Sequence, residues 1–242
     1  MNIAFPLLAD SILRKIVEDM NHRGFGVATD CIDHGNIKSL RSFIENKVYD
    51  NDGEYIVLNG LETVRGTFLE ILSSSLEFIH VCKAIYENGT GKDAPNVPFY
   101  QVLRCLSGKT GDKESFIFHY DSYVLTALIP VIIPTEGKRG DLIMFPNTRK
   151  FRKTYFRNLI DKVLLDNKLT QVILKKFTTS GRLQATKVPL RPGNVYFLWG
   201  CRSIHANESC DPEKIRATAI FHYVDPHDSS WLRGAIRRKK IQ

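Results

Sequence analysis

The chain has 242 residues, of which 43% are hydrophobic and 25% are charged, and its net charge is +8. This composition is ordinary for a globular protein and excludes a disordered, collagen-like or fibrous chain. Five cysteines without a C-x-x-C pair give no indication of a thiolate zinc site.

The sequence also predicts no membrane span. The longest apolar stretch without a formal charge, Ser122 to Thr135, contains two prolines and is shorter than the roughly 20 residues that a bilayer span needs. The chain begins without basic residues ahead of its apolar ones, unlike a secretory signal. We therefore expect a cytoplasmic protein.

The first part of the chain is predicted to be mainly helical. Apolar spacing predicts a helix over Leu8 to Met20, and Arg23 to Val27 indicates a turn into a short strand. Further helices are expected over Asn36 to Val48 and over Leu61 to Tyr86. Residues 1–98 would thus form a helical support for the rest of the chain.

After residue 98 the pattern changes to short strands. Runs with β character are Phe99–Leu106, Ser115–Tyr120, Val124–Ile133, Asp141–Phe145, Gly193–Trp199 and Arg216–Tyr223. Most of them are not separated by helices, which favours an antiparallel barrel or sandwich over a parallel sheet. We predict a single α+β domain over 1–242, with a barrel core over 99–223.

A basic helical insertion at about 149–177 interrupts the strands. Residues 136–191 contain fourteen Lys and Arg against four acids, and the last ten residues add five cations. A solvated surface, a positive rim that steers an anionic partner, and nucleic-acid binding are all open interpretations. Because no nucleic-acid-binding motif accompanies the charge, no specific nucleic acid is expected. The basic tail, 224–242, would allow peripheral contact with a membrane.

One histidine has a metal-like spacing with a carboxylate. His119 and Asp121 are one residue apart on a predicted strand, so both side chains project from the same face. This pair is weak evidence by itself. His205 follows at the end of the strand and turn that begin at Gly193. Two histidines and one carboxylate on one face of an iron ion leave three positions free, as in non-haem iron oxygenases.

An arginine and a threonine share one face of the last predicted strand. If Arg216 faces the barrel interior it needs an anion, because burying an unpaired charge costs several kcal/mol. A guanidinium beside the Thr218 hydroxyl suits two-pronged binding of a carboxylate. The combination of these two residues with the three candidate metal ligands is far more specific than any of its parts.

On these residues the chain resembles the Fe(II)/2-oxoglutarate-dependent dioxygenase superfamily, and most of all its phytanoyl-CoA dioxygenase-like group. The resemblance covers about Phe99 to Tyr223 without the insertion, and it includes the stretches Gly140–Lys150 and Pro192–Phe197. It implies a double-stranded β-helix, the jelly-roll or cupin-like core, with the N-terminal helices packed outside.

The resemblance also implies cofactors and roles. Fe(II) would be held by His119, Asp121 and His205, and the far carboxylate of 2-oxoglutarate would lie on Arg216 and Thr218. Thr126 is a weaker candidate for contact with this cosubstrate. With O2 as the third reactant, succinate and CO2 would be released and the substrate hydroxylated. The presence of a carboxylate in the triad, which halogenating relatives lack, implies a hydroxylase.

The expected substrate is a small or medium anionic metabolite, such as an acyl, sugar-acid, phosphorylated or lipid-linked compound. Arg104 and Tyr123 are candidate substrate contacts. The insertion Arg149–Lys176 would form part of a lid over the mouth of the site. Its first basic residues, which would attract the substrate, are Arg149, Lys150, Arg152 and Lys153.

Three alternatives stay open. The same β-core could be a non-catalytic module that binds anions or nucleic acid. A zinc hydrolase could use the same three ligands, although it would give Arg216 no role. His222 shares a predicted face with Arg216 and could replace His205 as a ligand, but we expect it to lie a full barrel layer from the iron.

Overall fold

The computed structural model describes residues 5–152 and 154–228. Its helices are α1 (Asp10–Arg23), α2 (His34–Tyr49), α3 (Phe68–Ser74), α4 (Leu76–Thr90), α5 (Gly108–Lys113), α6 (Tyr155–Asp166) and α7 (Lys168–Thr179), with a 3-10 turn at Leu61–Val64. Its strands are β1 (Phe25–Ala28), β2 (Ile56–Asn59), β3 (Tyr100–Leu106), β4 (Leu125–Ile132), β5 (Leu142–Phe145), β6 (Thr186–Val188), β7 (Val195–Leu198), β8 (Ile204–Asn207) and β9 (Arg216–Tyr223). Among these helices, none combines the length and apolar character that a membrane crossing requires.

The strands form two antiparallel sheets. The larger sheet has six strands in the order β1-β7-β4-β9-β3-β2, and the smaller has three in the order β6-β5-β8. Strand β9 pairs with both β3 and β4, so the last strand of the chain lies inside the large sheet. The predicted combination of helices with antiparallel strands is confirmed.

The two faces of the large sheet have different partners, because side chains alternate along each strand. On β9, Ala219 and Phe221 belong to the main hydrophobic core. The alternate residues Arg216, Thr218 and His222 line a cavity on the opposite face, which residues of the small sheet also line. Because side chains alternate along β9, one face of the strand packs in the hydrophobic core and the other presents polar side chains to the cavity.

The N-terminal helices cover the first of these faces. Leu13, Ile16 and Met20 recur at helical spacing on α1 and are buried. Phe78 of α4 meets Phe221 of β9 edge to face, with ring centroids 5.3 Å apart. The helices therefore hold β9 from behind, and this fixes the residues that point into the cavity.

The single helix predicted over Leu61 to Tyr86 is wrong, because the chain there forms a 3-10 turn and the two helices α3 and α4. The Thr67 hydroxyl accepts a hydrogen bond from the backbone N–H of Leu69, and the Ser75 hydroxyl accepts one from that of Phe78. Such N-caps satisfy backbone donors that a new helix leaves without partners. They allow the chain to stop and restart the helix within a continuous apolar pattern.

The strand predicted over Ser115–Tyr120 is also wrong. Phe116 has a φ of 55°, which a strand does not accommodate, and His119 forms an isolated bridge with His205. Strands β2, β6 and β8 were not predicted; they lie at the edges of the two sheets. A short edge strand has partners on one side only and leaves a weak signal in the sequence.

The helical insertion is a hairpin of α6 and α7. Asn167 lies between the helices and caps α7 by accepting a hydrogen bond from the backbone N–H of Leu169, 2.9 Å away. The hairpin packs through Leu165 and Leu174 on Phe118. Of the C-terminal tail 224–242 only residues 224–228 are described, so the predicted membrane contact through its cations lies outside the described residues.

Candidate metal centre

His119, Asp121 and His205 meet at one point of the cavity between the sheets. Each offers one ligand atom, and these atoms lie within 4.8 Å of one another. Oδ1 of Asp121 is 3.7 Å from Nε2 of His119 and 3.4 Å from Nε2 of His205. The backbone bridge between the two histidines sets the imidazoles side by side, with ring centroids 4.4 Å apart. This is the group that the sequence predicted as a metal triad.

Both imidazoles are held by a backbone carbonyl two residues earlier in the chain. Nδ1 of His119 lies 2.9 Å from the carbonyl oxygen of Ile117, and Nδ1 of His205 lies 3.0 Å from that of Ser203. Since a carbonyl can only accept, each Nδ1 carries the proton and donates it. In the neutral form of each ring Nε2 then keeps a lone pair, and the two lone pairs are available to a metal beside Asp121.

The carboxylate is fixed from behind by Thr126. Its hydroxyl donates to Oδ2 of Asp121 at 2.6 Å and lies 3.0 Å from Nδ1 of His222. Because the single hydroxyl proton goes to the carboxylate, Nδ1 of His222 donates to the hydroxyl oxygen. We call this chain of hydrogen bonds, from His222 through Thr126 to Asp121, the carboxylate relay. It leaves Oδ1 of Asp121 turned toward the two imidazoles.

A glycine makes room for this arrangement. The Gly200 carbonyl accepts a hydrogen bond from the backbone N–H of Asp121 at 3.0 Å. A Cβ at Gly200 would overlap Oδ2 of Asp121 and would lie 2.6 Å from the Thr126 hydroxyl. Any larger residue here would displace the carboxylate, so the close approach of the backbone is part of the site.

The electrostatics of the centre favour a divalent cation. Burial, together with the nearby His205, lowers the pKa of His119 to about 4. Burial alone would raise the pKa of Asp121, but His205 and His222 outweigh it and hold that pKa well below its ordinary value. At neutral pH the centre thus contains an ionised carboxylate and a neutral His119, which are the protonation states that bind metal.

Farther along the same cavity, which has a volume of about 290 Å³, lies a buried cation. Arg216 is 3% exposed and Thr218 is 1% exposed, and Nε of the arginine and Oγ1 of the threonine have no hydrogen-bond partner. Burial, with a further contribution from Arg104, lowers the pKa of Arg216 to about 10, so the guanidinium is still charged at neutral pH.

These observations fit the cofactors that the resemblance implies. A buried polar group left without a partner costs about 1–3 kcal/mol, and more when it is charged. A carboxylate bound at Arg216 and Thr218 would remove this cost, as the far end of 2-oxoglutarate would. Imidazole and carboxylate ligands on one face suit Fe(II). The residues present therefore fit both groups.

The remaining predicted site residues lie around this cavity. Arg104 of β3 pairs with Thr218 in the sheet register and lines the cavity, and its Nη2 donates to the carbonyl of Glu114 at 3.2 Å. The Tyr123 ring stacks on the His222 ring with centroids 4.8 Å apart. Thr126, predicted to contact the cosubstrate, lines the cavity and directs its hydroxyl to Asp121.

The basic rim predicted for the start of the insertion is wrong for Arg149. Arg149 is 7% exposed and donates to the carbonyl of Cys201 at 2.6 Å and to Oδ2 of Asp161 at 2.7 Å. Arg152 binds the same carboxylate. The Arg149 guanidinium is therefore engaged inside the protein, whereas the Arg152 side chain is 33% exposed and forms an ion pair with Asp161. Lys153 lies outside the described residues.

The predicted lid finds no counterpart in the wall of the site. The described residues that line the cavity come from neither α6 nor α7. The hairpin instead contacts the segment that carries His119 and Asp121: Gln171 donates to the carbonyl of Phe118 at 2.8 Å, and Lys162 donates to the Ser122 hydroxyl at 2.8 Å. It supports the metal ligands from outside.

The distance predicted for His222 is also wrong. Its Nδ1 lies 3.9 Å from Oδ2 of Asp121, because Thr126 and His222 are paired in the register of β4 and β9. That register cannot be read from the sequence. Asn207 was missed although a signal existed: it lies two residues after His205 on β8, lines the cavity, and leaves its buried Oδ1 without a partner.

The chain matches no protein-family model, and no curated protein is significantly similar to it. Its fold is nevertheless shared with solved structures. A prolyl 4-hydroxylase from Phytophthora capsici has a TM-score of 0.56 at 14% identity, covering 95% of this chain and 69% of that chain. The epimerase SnoN from nogalamycin biosynthesis, in complex with Fe3+, α-ketoglutarate and nogalamycin RO, has a TM-score of 0.54 at 13% identity, covering 90% and 85%.

A prolyl hydroxylase from Trichoplax adhaerens, in complex with a hypoxia-inducible-factor peptide, has a TM-score of 0.54 at 13% identity. It covers 89% of this chain and 90% of that chain. The protein therefore has the fold of the iron- and α-ketoglutarate-dependent oxygenases, and it carries a His-x-Asp…His group whose ligand atoms meet in its cavity. The resemblance to the phytanoyl-CoA dioxygenase-like group stays a prediction.

Proposed function

We propose that this protein is an Fe(II)- and 2-oxoglutarate-dependent oxygenase that hydroxylates an anionic small or medium metabolite. One observation carries the proposal: a single cavity has three metal-ligating atoms at one place and a buried, unpartnered guanidinium and hydroxyl at another. A metal hydrolase would explain the first group but would leave Arg216 without a role.

In this proposal the chain's own residues bind and orient the reactants. His119, Asp121 and His205 hold Fe(II) on one face, and the carboxylate relay keeps Asp121 in position. Arg216 and Thr218 bind the far carboxylate of 2-oxoglutarate and so set its direction along the cavity. Leu128, Leu198 and Ile220 form the apolar part of the lining and exclude water between the two ends.

The bound cofactors supply the oxidation: 2-oxoglutarate and O2 are converted to succinate and CO2, and one oxygen atom is inserted into a C–H bond of the substrate. The chain's contribution is geometric, because ligands held by backbone carbonyls and by the relay need no rearrangement on metal binding.

An anionic substrate is supported by a second cation in the cavity. Arg104 has a buried Nε without a hydrogen-bond partner, and its guanidinium lies 5.6 Å from the centre of the Tyr55 ring, which also lines the cavity. Its Nη2 donates to the Glu114 carbonyl at 3.2 Å and lies 3.6 Å from the Glu114 carboxylate. If Arg216 is taken by 2-oxoglutarate, the buried Nε of Arg104 is left for an anionic group of the substrate. Acyl, sugar-acid, phosphorylated and lipid-linked compounds all carry such groups.

The finer structural and cellular assignments follow from the same proposal. We infer that the two sheets form a double-stranded β-helix and that the chain is similar to the phytanoyl-CoA dioxygenase-like group. A cytoplasmic location is consistent with five unpaired, buried cysteines. Tyr123 stays a candidate substrate contact beside His222.

The test is an anaerobic titration of the purified protein with Fe(II) and 2-oxoglutarate, followed by admission of air. We expect a weak visible charge-transfer band from the chelate, and then succinate. Asp121→Ala should remove the band. Arg216→Met should require much more 2-oxoglutarate to produce it.

The outcomes separate the alternatives. A non-catalytic anion-binding module would give neither the band nor succinate. A zinc hydrolase would bind metal but would show no dependence on 2-oxoglutarate. Either result would overturn the proposal. If succinate does form, metabolite profiling with the active enzyme would identify the substrate class.

A further inference from the structure

The outer surface of the α6–α7 hairpin is apolar to an unusual degree. Nine of the eighteen exposed large hydrophobic side chains of the described residues lie between positions 156 and 183. On the two helices these are Phe156, Ile160, Val163, Leu164, Leu169, Val172, Ile173 and Phe177. We call these eight residues the outer apolar face. A contiguous apolar patch of this kind marks an interaction site on most soluble proteins.

Helical geometry places these residues away from the barrel. On α6 the buried positions are Asn158 and Leu165, and at about 100° per residue Phe156, Ile160 and Val163 lie on the opposite side of the helix. No residue of α7 is buried. The apolar residues of the outer apolar face therefore point away from the barrel on both helices. They are not among the residues through which the hairpin packs on Phe118.

Cations accompany the apolar residues. Between positions 154 and 183 the chain has six Lys and Arg and only two acids, Asp161 and Asp166. Asp161 is already bound by Arg149 and Arg152. The exposed cations on or beside the outer apolar face are Arg157, Lys168, Lys176 and Arg182, whereas Lys175 lies over the Phe116 ring. The surface is thus apolar and positive together.

This combination selects one kind of partner. Two copies of the face would bring like charges together, which opposes self-association. An anionic lipid surface offers an apolar layer beneath negative headgroups and so matches both properties at once. We propose that the outer apolar face of the α6–α7 hairpin docks the protein on an anionic membrane surface, parallel to the plane of the bilayer.

Docking there would place the metal centre near the lipid. Gln171 of α7 donates to the Phe118 carbonyl and accepts from the Phe118 N–H, so the hairpin is joined directly to the segment that carries the metal ligands. Ile117, two residues before His119, is itself 43% exposed. The docking proposal does not depend on the oxygenase reaction, and its test does not require turnover.

The experiment is sedimentation of the full-length protein with lipid vesicles. Equal parts of phosphatidylcholine and phosphatidylglycerol should carry the protein into the pellet, phosphatidylcholine alone should carry much less, and added salt should weaken the binding. The double variant Val163→Ser with Leu164→Ser should bind the anionic vesicles about tenfold or more weakly. Its control is Leu76→Ser, which alters a side chain that is 79% exposed on α4.

Charge is tested in the same way. Lys176→Glu with Arg182→Glu should weaken binding, whereas Lys38→Glu with Arg41→Glu, an exposed pair on α2, should not. Circular dichroism and metal binding of each variant check that it folds. Absence of binding to anionic vesicles would overturn the proposal, as would binding that the outer-face variants leave unchanged. Light scattering tests for self-association. If the wild-type protein is a dimer and these variants dissociate it, the face binds a second copy of the chain, and the membrane proposal is equally overturned.

Discussion

The carboxylate relay gives a sharp test of the metal centre through a single hydroxyl. Thr126→Val keeps the shape and the burial of the side chain but removes the donor that lies 2.6 Å from Oδ2 of Asp121. The carboxylate then keeps its charge and loses the contact that orients it. Nδ1 of His222 loses its acceptor at the same time.

The expected magnitude follows from the kind of bond that is lost. A hydrogen bond to a buried charged group contributes about 1.5–3 kcal/mol. If that energy orients a metal ligand, its loss weakens metal binding roughly 10- to 100-fold, which is the usual range for outer partners of metal ligands. The overall stability of the protein without metal should fall by no more than the same amount.

The assay is an anaerobic titration with Fe(II), or with Co(II) as a spectroscopic substitute. Thr218→Val is the matched control, because it makes the same substitution in a residue that is equally buried and lines the same cavity. The control should leave metal affinity intact and weaken 2-oxoglutarate binding. Metal affinity of Thr126→Val equal to that of the wild type would refute the relay.

Three further predictions follow. Arg216→Met should weaken 2-oxoglutarate binding about tenfold or more while leaving metal affinity unchanged; calorimetric titration measures both, and unchanged 2-oxoglutarate binding would contradict the assigned role. Gly200→Ala should reduce metal affinity without unfolding the protein, because the new Cβ would overlap Oδ2 of Asp121. Metal titration measures the affinity and circular dichroism checks the fold; a folded variant with wild-type metal affinity would contradict this prediction. Burial raises the pKa of Asp161, but hydrogen bonds from Arg152 and Arg149 outweigh it and hold that pKa below its ordinary value. The ionised Asp161 therefore stabilises the folded protein at pH values above the pKa of this group in the unfolded chain. This stabilisation is lost as the pH falls through the pKa of Asp161 in the folded protein. Asp161→Asn should therefore destabilise the protein by about 1–3 kcal/mol at neutral pH and make its stability less dependent on pH in the acid range. Melting temperatures measured from neutral to acid pH test this, and a variant whose melting temperature falls with pH as steeply as that of the wild type would contradict it.

The sequence predicted most of the site because the relevant information is local. His119 and Asp121 lie two residues apart, as do Arg216 and Thr218, and a period of two is enough to place each pair on one side. The structure brings both pairs to the same cavity. His119 and Asp121 lie on one side although the strand predicted around them was wrong, because the backbone bridge between His119 and His205 is enough to place His119 at the site.

What the sequence could not supply is the register between distant strands. The pairing of Thr126 with His222 joins residues that are 96 positions apart in the chain, and it makes the relay possible. The burial of Arg149 likewise depends on Asp161, twelve residues later, folding back against it. A charge count treats that arginine as surface, whereas its partners in space make it a structural residue.

The cavity itself is costly to maintain without a ligand. Arg104 and Arg216 line one space of about 290 Å³, and each leaves a buried Nε without a partner. The Glu114 carboxylate lies 3.6 Å from Arg104, whereas no carboxylate of the described residues forms an ion pair with Arg216, and a buried charge without a partner destabilises the protein. The opposite face of β9 offsets this cost, because Ala219 and Phe221 are fully buried against the helices. One strand therefore stabilises the fold on one side, and on the other it presents the Arg216 guanidinium and the Thr218 hydroxyl to the cavity.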